Sequence, residues 1–284
     1  MQTATDKKID FLNDLEGTNI DSSVYTELER LSRDRNPEIR NRVAQVLGGA
    51  RGEYIDILLR LMNDRDELVR VNACDSLSGT DSREAINGLE KHIADSSELV
   101  RGYVYSSLYD TASMNPAAYK SEVRALLLSA CKDEKSDRAG AILVCSLYAL
   151  GEADAANKIK SYISSEDCYV RNAAVQQLHA ICGDADISCF RKDLQAQYHK
   201  ESVGFVKDAL ESLLEAKMAD NRKSLIATGG ITSAQEIFKS LILGADLSSS
   251  AGFILKNLMQ TGPEKVEEII EQWKQDLKKL FVLT

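Results

Sequence analysis

Few residues in this chain have both the type and the spacing for chemistry. His179, Cys182 and Cys189 lie close enough in sequence to be three ligands of one metal ion. No Cys-x-x-Cys pair accompanies them, so buried small side chains on an apolar helix face are the favoured reading. The histidines His92, His179 and His199 are far apart, and the chain has neither a Gly-x-Ser-x-Gly nucleophile elbow nor a phosphate loop with its lysine. What does recur is arginine, at Arg40, Arg70, Arg101, Arg138 and Arg171. A row of guanidinium groups is one way to grip phosphate.

That row belongs to a repeat. Around Arg70, Val69 stands one before, Ala73 three after and Leu77 seven after, so the three apolar side chains share one helix face. The frame returns as Ile39-Arg40-Val43-Leu47, Val100-Arg101-Val104-Leu108 and Val170-Arg171-Ala174-Leu178. A conservative variant is Val206-Lys207-Leu210-Leu214, and a weaker one is Arg138-Ala141-Cys145, where Asp137 replaces the expected Val. The anchors recur roughly every 30 to 37 residues, the length of a helical hairpin. Between paired helices stand polar breaks such as Asn63-Asp64-Arg65-Asp66 and Ser164-Ser165-Glu166-Asp167, whose Asp or Ser oxygens can cap the helix that follows. Asp21 is read as the cap of the first hairpin, Pro37 suits a first helical turn, and Gly48-Gly49, Gly79, Gly151 and Gly183 punctuate the hairpins with residues tolerant of positive φ. Residues 1–20, with the apolar segment Ile9 to Leu15 and a stop at Gly17, read as an N-terminal cap.

Composition agrees with helix: aromatics are 6% and there are only 3 Pro. The formal charge of -9 disfavours duplex nucleic acid, and no basic stripe overrides it. No apolar run reaches the ~20 residues of a membrane span, and no secretory signal is read at the N-terminus. The expectation is a cytoplasmic protein whose six Cys are free thiols.

The pattern Asp-x-x-x-x-Val-Arg-x-x-Ala-x-x-x-Leu at this period resembles the HEAT repeat family, in particular its short bacterial, phycobilisome-lyase-like branch. The resemblance implies a mainly α protein, a right-handed α-solenoid over residues 1–219 in which about six helical hairpins cover roughly 21–219 behind the N-terminal cap. It also implies that the arginines form a structural ladder with Asp34, Asp64, Asp95 and Asp133 rather than a phosphate site. In such a solenoid the second helices line a concave face where a partner sits. Positions two and five after each anchor should lean into it: Arg42, Gln45, Asn72, Asp75, Tyr103, Ser106 and Gln176. Tyr103, Tyr105 and Tyr109 on one helix suit either an interface or packing between hairpins.

After Asp220 the repeat stops. Ser224–Thr228 and Ala245–Ser249 read as strands, Ser233–Leu243, Phe253–Gln260 and Pro263–Leu280 as helices, together two β/α units at 220–284. Ile226-Ala227-Thr228-Gly229-Gly230-Ile231, Leu243-Gly244-Ala245-Asp246 and the run from Ala251 resemble the end of FMN-dependent (β/α) barrels, above all type 2 isopentenyl-diphosphate isomerases. The resemblance implies flavin phosphate held at Gly229, Gly230, Ser250 and Ala251. Turn geometry alone also accounts for the glycines and is preferred, because the strands that would complete a barrel are absent.

With no catalytic constellation, the leading expectation is a non-enzymatic scaffold, adaptor or inhibitor that binds another protein, a basic one by charge, on its concave face. The alternative is a flavin- or phosphate-binding protein whose half site is completed by oligomerisation or another chain. A base-modifying nucleic-acid enzyme, the third possibility, runs against the charge.

Overall fold

Asn36, Asp66, Ser97, Ser136 and Asp167 each take extended backbone and accept a hydrogen bond from an N–H in the first turn beyond them. Each therefore starts the second helix of a hairpin at a fixed residue. The computed structural model describes residues 3–15, 20, 22–48, 54–217, 226–228, 233–234, 237, 247–249, 257 and 263–282. The chain divides into two units, Met1–Met218 and Ala219–Thr284.

The first unit opens with α1 (Ala4–Leu15) and continues as hairpins: α2 (Tyr25–Leu31) with α3 (Pro37–Leu47), α4 (Ile55–Leu61) with α5 (Glu67–Ser76), and α6 (Arg83–Lys91) with α7 (Glu98–Met114). Three more follow, α8 (Pro116–Asp133) with α9 (Asp137–Ala149), α10 (Ala156–Ile163) with α11 (Cys168–Ile181), and α12 (Arg191–Lys200) with α13 (Gly204–Lys217). This is a helical solenoid. The second helices pack in sequence, α1 on α3, α3 on α5, and so on to α11 on α13. The apolar positions of the repeat supply the interior: Ile39, Val43, Val69, Ala73, Leu77, Val100, Val104, Leu108, Ala174 and Leu178 are all buried. Pro37 occupies the first turn of α3. Positive φ is found at Gly79 (68°) and Gly151 (105°), whereas Gly48, at -58°, ends α3 in ordinary helical geometry. Gly17, Asp21 and Gly49 lie outside the described residues.

The second unit carries β1 (Ile226–Thr228) and β2 (Leu247–Ser249), paired in parallel with Ile226 opposite Leu247 and Thr228 opposite Ser249. Of the strands expected at 224–228 and 245–249, residues 226–228 and 247–249 are strand, and the first two positions of each lie outside the described residues. Parallel pairing requires a crossover connection, in keeping with a small β/α fragment. Its last helix, α14 (Pro263–Val282), buries Val266 and leaves Ile270 exposed. Of the two helices expected at 233–243 and 253–260, most residues lie outside the described set, as do Gly229, Gly230, Ser250 and Ala251. The second unit holds as many Lys and Arg as Asp and Glu, so the net charge of -9 belongs to the first.

Candidate interaction groove

Four residues beyond each cap, Arg40, Arg70, Arg101 and Arg171 turn to the loop edge. Nη1 of each donates to carbonyls of its own loop, as Arg70 does to Asp64 O at 3.0 Å. Nε and Nη2 reach forward as a fork to the next hairpin: Arg40 to Asp64 at 2.6 and 2.7 Å, Arg70 to Asp95 at 3.0 Å, Arg101 to Glu134 at 2.8 and 2.7 Å, Arg171 to Glu201 at 2.7 and 2.8 Å. Each acid also takes a backbone N–H two residues on, from Asp66, Ser97, Ser136 and Val203. The Arg171 guanidinium beside Glu201 holds that carboxyl down at about 2 despite burial. Burial pushes Glu134 upward, but Arg101, the Ser136 N–H and the Tyr105 hydroxyl outweigh it and bring it to about 2. Saturated in this way, the arginines have no fork left for phosphate. Lys8 of α1 begins the series by bonding Asp34 at 2.5 Å.

Three assignments change. The acid of the fourth hairpin is Glu134, not Asp133. Glu201 serves the last rung. Arg138 is not a rung at all: the residue four beyond Ser136 is Gly140, and the matching acceptor in the next loop is Ser165, whose Oγ takes the Asp167 N–H at 3.3 Å. Both ends of that rung are missing together. A Cβ on Gly140 would stand 2.8 Å from the Tyr162 hydroxyl, which occupies the space.

Arg138 instead sits two residues after its cap, level with Leu68, Leu99, Tyr169 and Phe205 of the neighbouring second helices. Its guanidinium lies 5.4 Å from the centre of the Tyr169 ring, and Tyr169 stacks on Phe205 at 5.9 Å. Tyr169 and Phe205 remain 56% and 46% exposed. Beside this strip is a groove of about 230 Å³ whose lining includes Leu99, Tyr103, Arg138, Ile142 and Tyr169 together with Ser106, Gln176 and Gln177. Gly102 lets α9 come close, since a Cβ there would meet Ile142 at 2.8 Å.

Of the residues expected on the inner face, Tyr103, Ser106 and Gln176 thus come together in one groove. Arg42, Gln45 and Asn72 form a separate chain farther toward the N-terminus: Arg42 donates to Asn13 at 2.7 Å and to Gln45 at 3.1 Å, and Gln45 donates to Asn72 at 3.3 Å. Asp75 is exposed but recessed, and burial raises its carboxyl. Asp110 is raised by burial and by the charges of Asp75 and Asp184, which outweigh a 2.6 Å bond from Ser78. The tyrosines divide. Tyr105 and Tyr109 are buried, with hydroxyls donating to Glu134 at 2.8 Å and Asp184 at 2.6 Å, while Tyr103 faces the groove. Cys182 donates to the backbone carbonyl of His179, and Cys189 lies 3.5 Å from the Tyr148 hydroxyl. Among the described residues no three His, Cys, Asp or Glu are grouped to hold a metal, and no helix is long and apolar enough to cross a membrane.

Sequence reasoning missed Arg138, Ile142, Tyr169 and Phe205 as groove residues. The signal was register: counting from the cap rather than from the arginine places Arg138 in line with Tyr169.

Residues 27–108 match the family described as HEAT repeats. Over 80 residues the chain is 92% identical to the isopentenyl-diphosphate delta-isomerase of Lactococcus lactis subsp. lactis (strain IL1403), covering 28% of this chain and 23% of that one. Over 73 residues it is 40% identical to the same-named protein of Moorella thermoacetica, covering 26% and 21%. The chain thus spans under a quarter of the length of these curated relatives. A crystal structure of an engineered protein aligns with 66% of this chain and 94% of its own at 14% identity and a TM-score of 0.36. The chain is similar to HEAT repeat proteins in one stretch and to isopentenyl-diphosphate isomerases in another.

Proposed function

We propose that the solenoid is a non-enzymatic scaffold, adaptor or inhibitor that seats a partner protein across its second helices, in the cytoplasm. The observation that carries this is the stack of half-buried Arg138 on the exposed rings of Tyr169 and Phe205, beside a groove lined by both apolar and polar side chains. Large apolar side chains aligned at one register, on a surface with a formed recess, are the mark of a binding face. The saturation of the ladder arginines supports it by removing the competing use of that row.

A photo-crosslinking residue placed at Tyr103, compared with one at Lys120 on the exposed side of α8, tests the reading in cells. A discrete crosslinked product at position 103 and none at 120 is expected. Equal labelling at both, or at 120 alone, would sink it.

A second reading, that 220–284 contributes half of a flavin- or phosphate-ligand site, is supported by the 92% identity to an isomerase. Incubation of the purified protein with FMN followed by desalting distinguishes it: retained flavin near one per chain or per pair of chains favours a site, and a colourless protein argues against one.

A further inference from the structure

We infer that the segment seated on this groove is an extended basic peptide of the partner, in which lysine or arginine is interspersed with large apolar side chains. This rests on the scaffold reading above. The apolar requirement comes from the strip itself: Leu68, Tyr169 and Phe205 are 55%, 56% and 46% exposed at equivalent positions of α5, α11 and α13, with Leu99 between them on α7. Successive second helices lie about 10 Å apart, close to one three-residue turn of an extended polyproline II chain, so one apolar side chain in three can face each helix.

The basic requirement comes from what flanks the strip. Along its outer edge the first helical turns carry Glu67, Glu98 and Asp137. Two turns farther along the same helix faces, Asp75 lies in line with Leu68 and Asp110 in line with Tyr103, and Asp184 follows α11. The strip therefore runs between two rows of carboxylates, of which Asp137 alone among the described residues has a cation of its own, Lys158 at 4.0 Å. Of the described residues that line the groove, only Arg138 is cationic, and it is held over Tyr169 rather than paired with an acid. A basic peptide with apolar anchors places cations against both rows, and the net charge of -9 steers it in.

The test uses the full chain and two fluorescein-labelled peptides, roughly four repeats of Lys-Phe-Ser or of Glu-Phe-Ser, read by anisotropy at low and high salt. The lysine peptide is expected to bind, and more weakly as salt rises. The pair Tyr169→Ala with Phe205→Ala should weaken it about tenfold or more. Asp75→Asn with Asp110→Asn should weaken it by a similar factor. Arg138→Gln should tighten it about two- to fivefold, by removing the like charge. Asp154→Asn, a charge change in the connection between α9 and α10, should leave it unmoved, and melting curves confirm that each variant folds. If the glutamate peptide binds instead, depends on Tyr169 and Phe205, and weakens with Arg138→Gln, the basic chemistry is overturned while the groove stands. If neither peptide responds to Tyr169 and Phe205, both fall.

Discussion

Two neighbouring junctions of the solenoid solve the same problem differently. Where α11 meets the loop before α13, Arg171 and Glu201 form a forked ion pair with side chains 10% and 1% exposed. Where α9 meets the loop before α11, glycine and serine stand in the same places, yet α9 and α11 pack more extensively than any other described pair of helices. Neutral bonds support that junction: Gln177 donates to Ser146 at 3.2 Å, Ser106 to Gln177 at 3.1 Å, and the Cys145 thiol to the Ala174 carbonyl. Removing both charges of a buried pair and filling the space with protein is close to neutral, whereas removing one is costly. The rung is thus a register device that close packing can replace.

The largest expected effect breaks the charged junction. Arg171→Leu strands Glu201 in the interior and should cost about 3 kcal/mol or more in urea unfolding. Adding Glu201→Ser copies the glycine-serine junction's chemistry, and the double variant should recover part of that loss. A double variant no more stable than Arg171→Leu would show that the packing at α9 and α11 is not transferable. Next in size, Gly140→Ala drives a methyl into the Tyr162 hydroxyl and should cost about 1 to 3 kcal/mol, with Tyr162→Phe restoring some of it.

Acid should distinguish the junctions too. Glu201 has a folded-state pKa lowered to about 2 from an ordinary 4.5, so its contribution is fully present above about pH 4.5 and drains away as pH falls toward 2. Unfolding titrations should show a smaller loss in the Arg171→Leu, Glu201→Ser variant than in the parent, because Glu134, lowered to about 2 in the same way, titrates in both. The smallest effect has the opposite sign. Burial raises the Asp110 carboxyl above its unfolded value, so its charge works against folding at neutral pH and that penalty lifts on acidification. Asp110→Asn should raise Tm at pH 7 and give no gain below the unfolded carboxyl range. A lowered Tm at pH 7 would mean that the Ser78 bond outweighs burial.

Much of this architecture was readable because a β-branched residue beside an arginine, followed by small and large apolar residues at helical spacing, marks a buried face. Val69, Val100 and Val170 satisfy that pattern and are buried. The pattern failed at Arg138, because the fourth hairpin lacks an anchor and the nearest arginine was two residues out of register. Ser136, four before Gly140, locates the true position and brings Ala139, Leu143 and Leu147 into the buried frame. Asp133 was preferred to Glu134 by residue type alone, yet α8 runs through Asp133 and only the next side chain stands two residues before a cap. Which inner residues gather into a groove was not readable. That depends on Gly102 admitting Ile142 and on rings from separate hairpins stacking, neither of which leaves a periodic trace.

Each rung runs in one direction, from an arginine in one hairpin to an acid in the next, so every such hairpin has a donor end and an acceptor end like a unit of a directional polymer. Hairpins with matched ends are interchangeable in principle, and duplication or loss of one leaves the seam intact. The fourth and fifth are not. Moving α10 and α11 alone to follow α7 would set Ser165 before Arg101 and leave its fork empty, so these two hairpins can be shuffled only as a block.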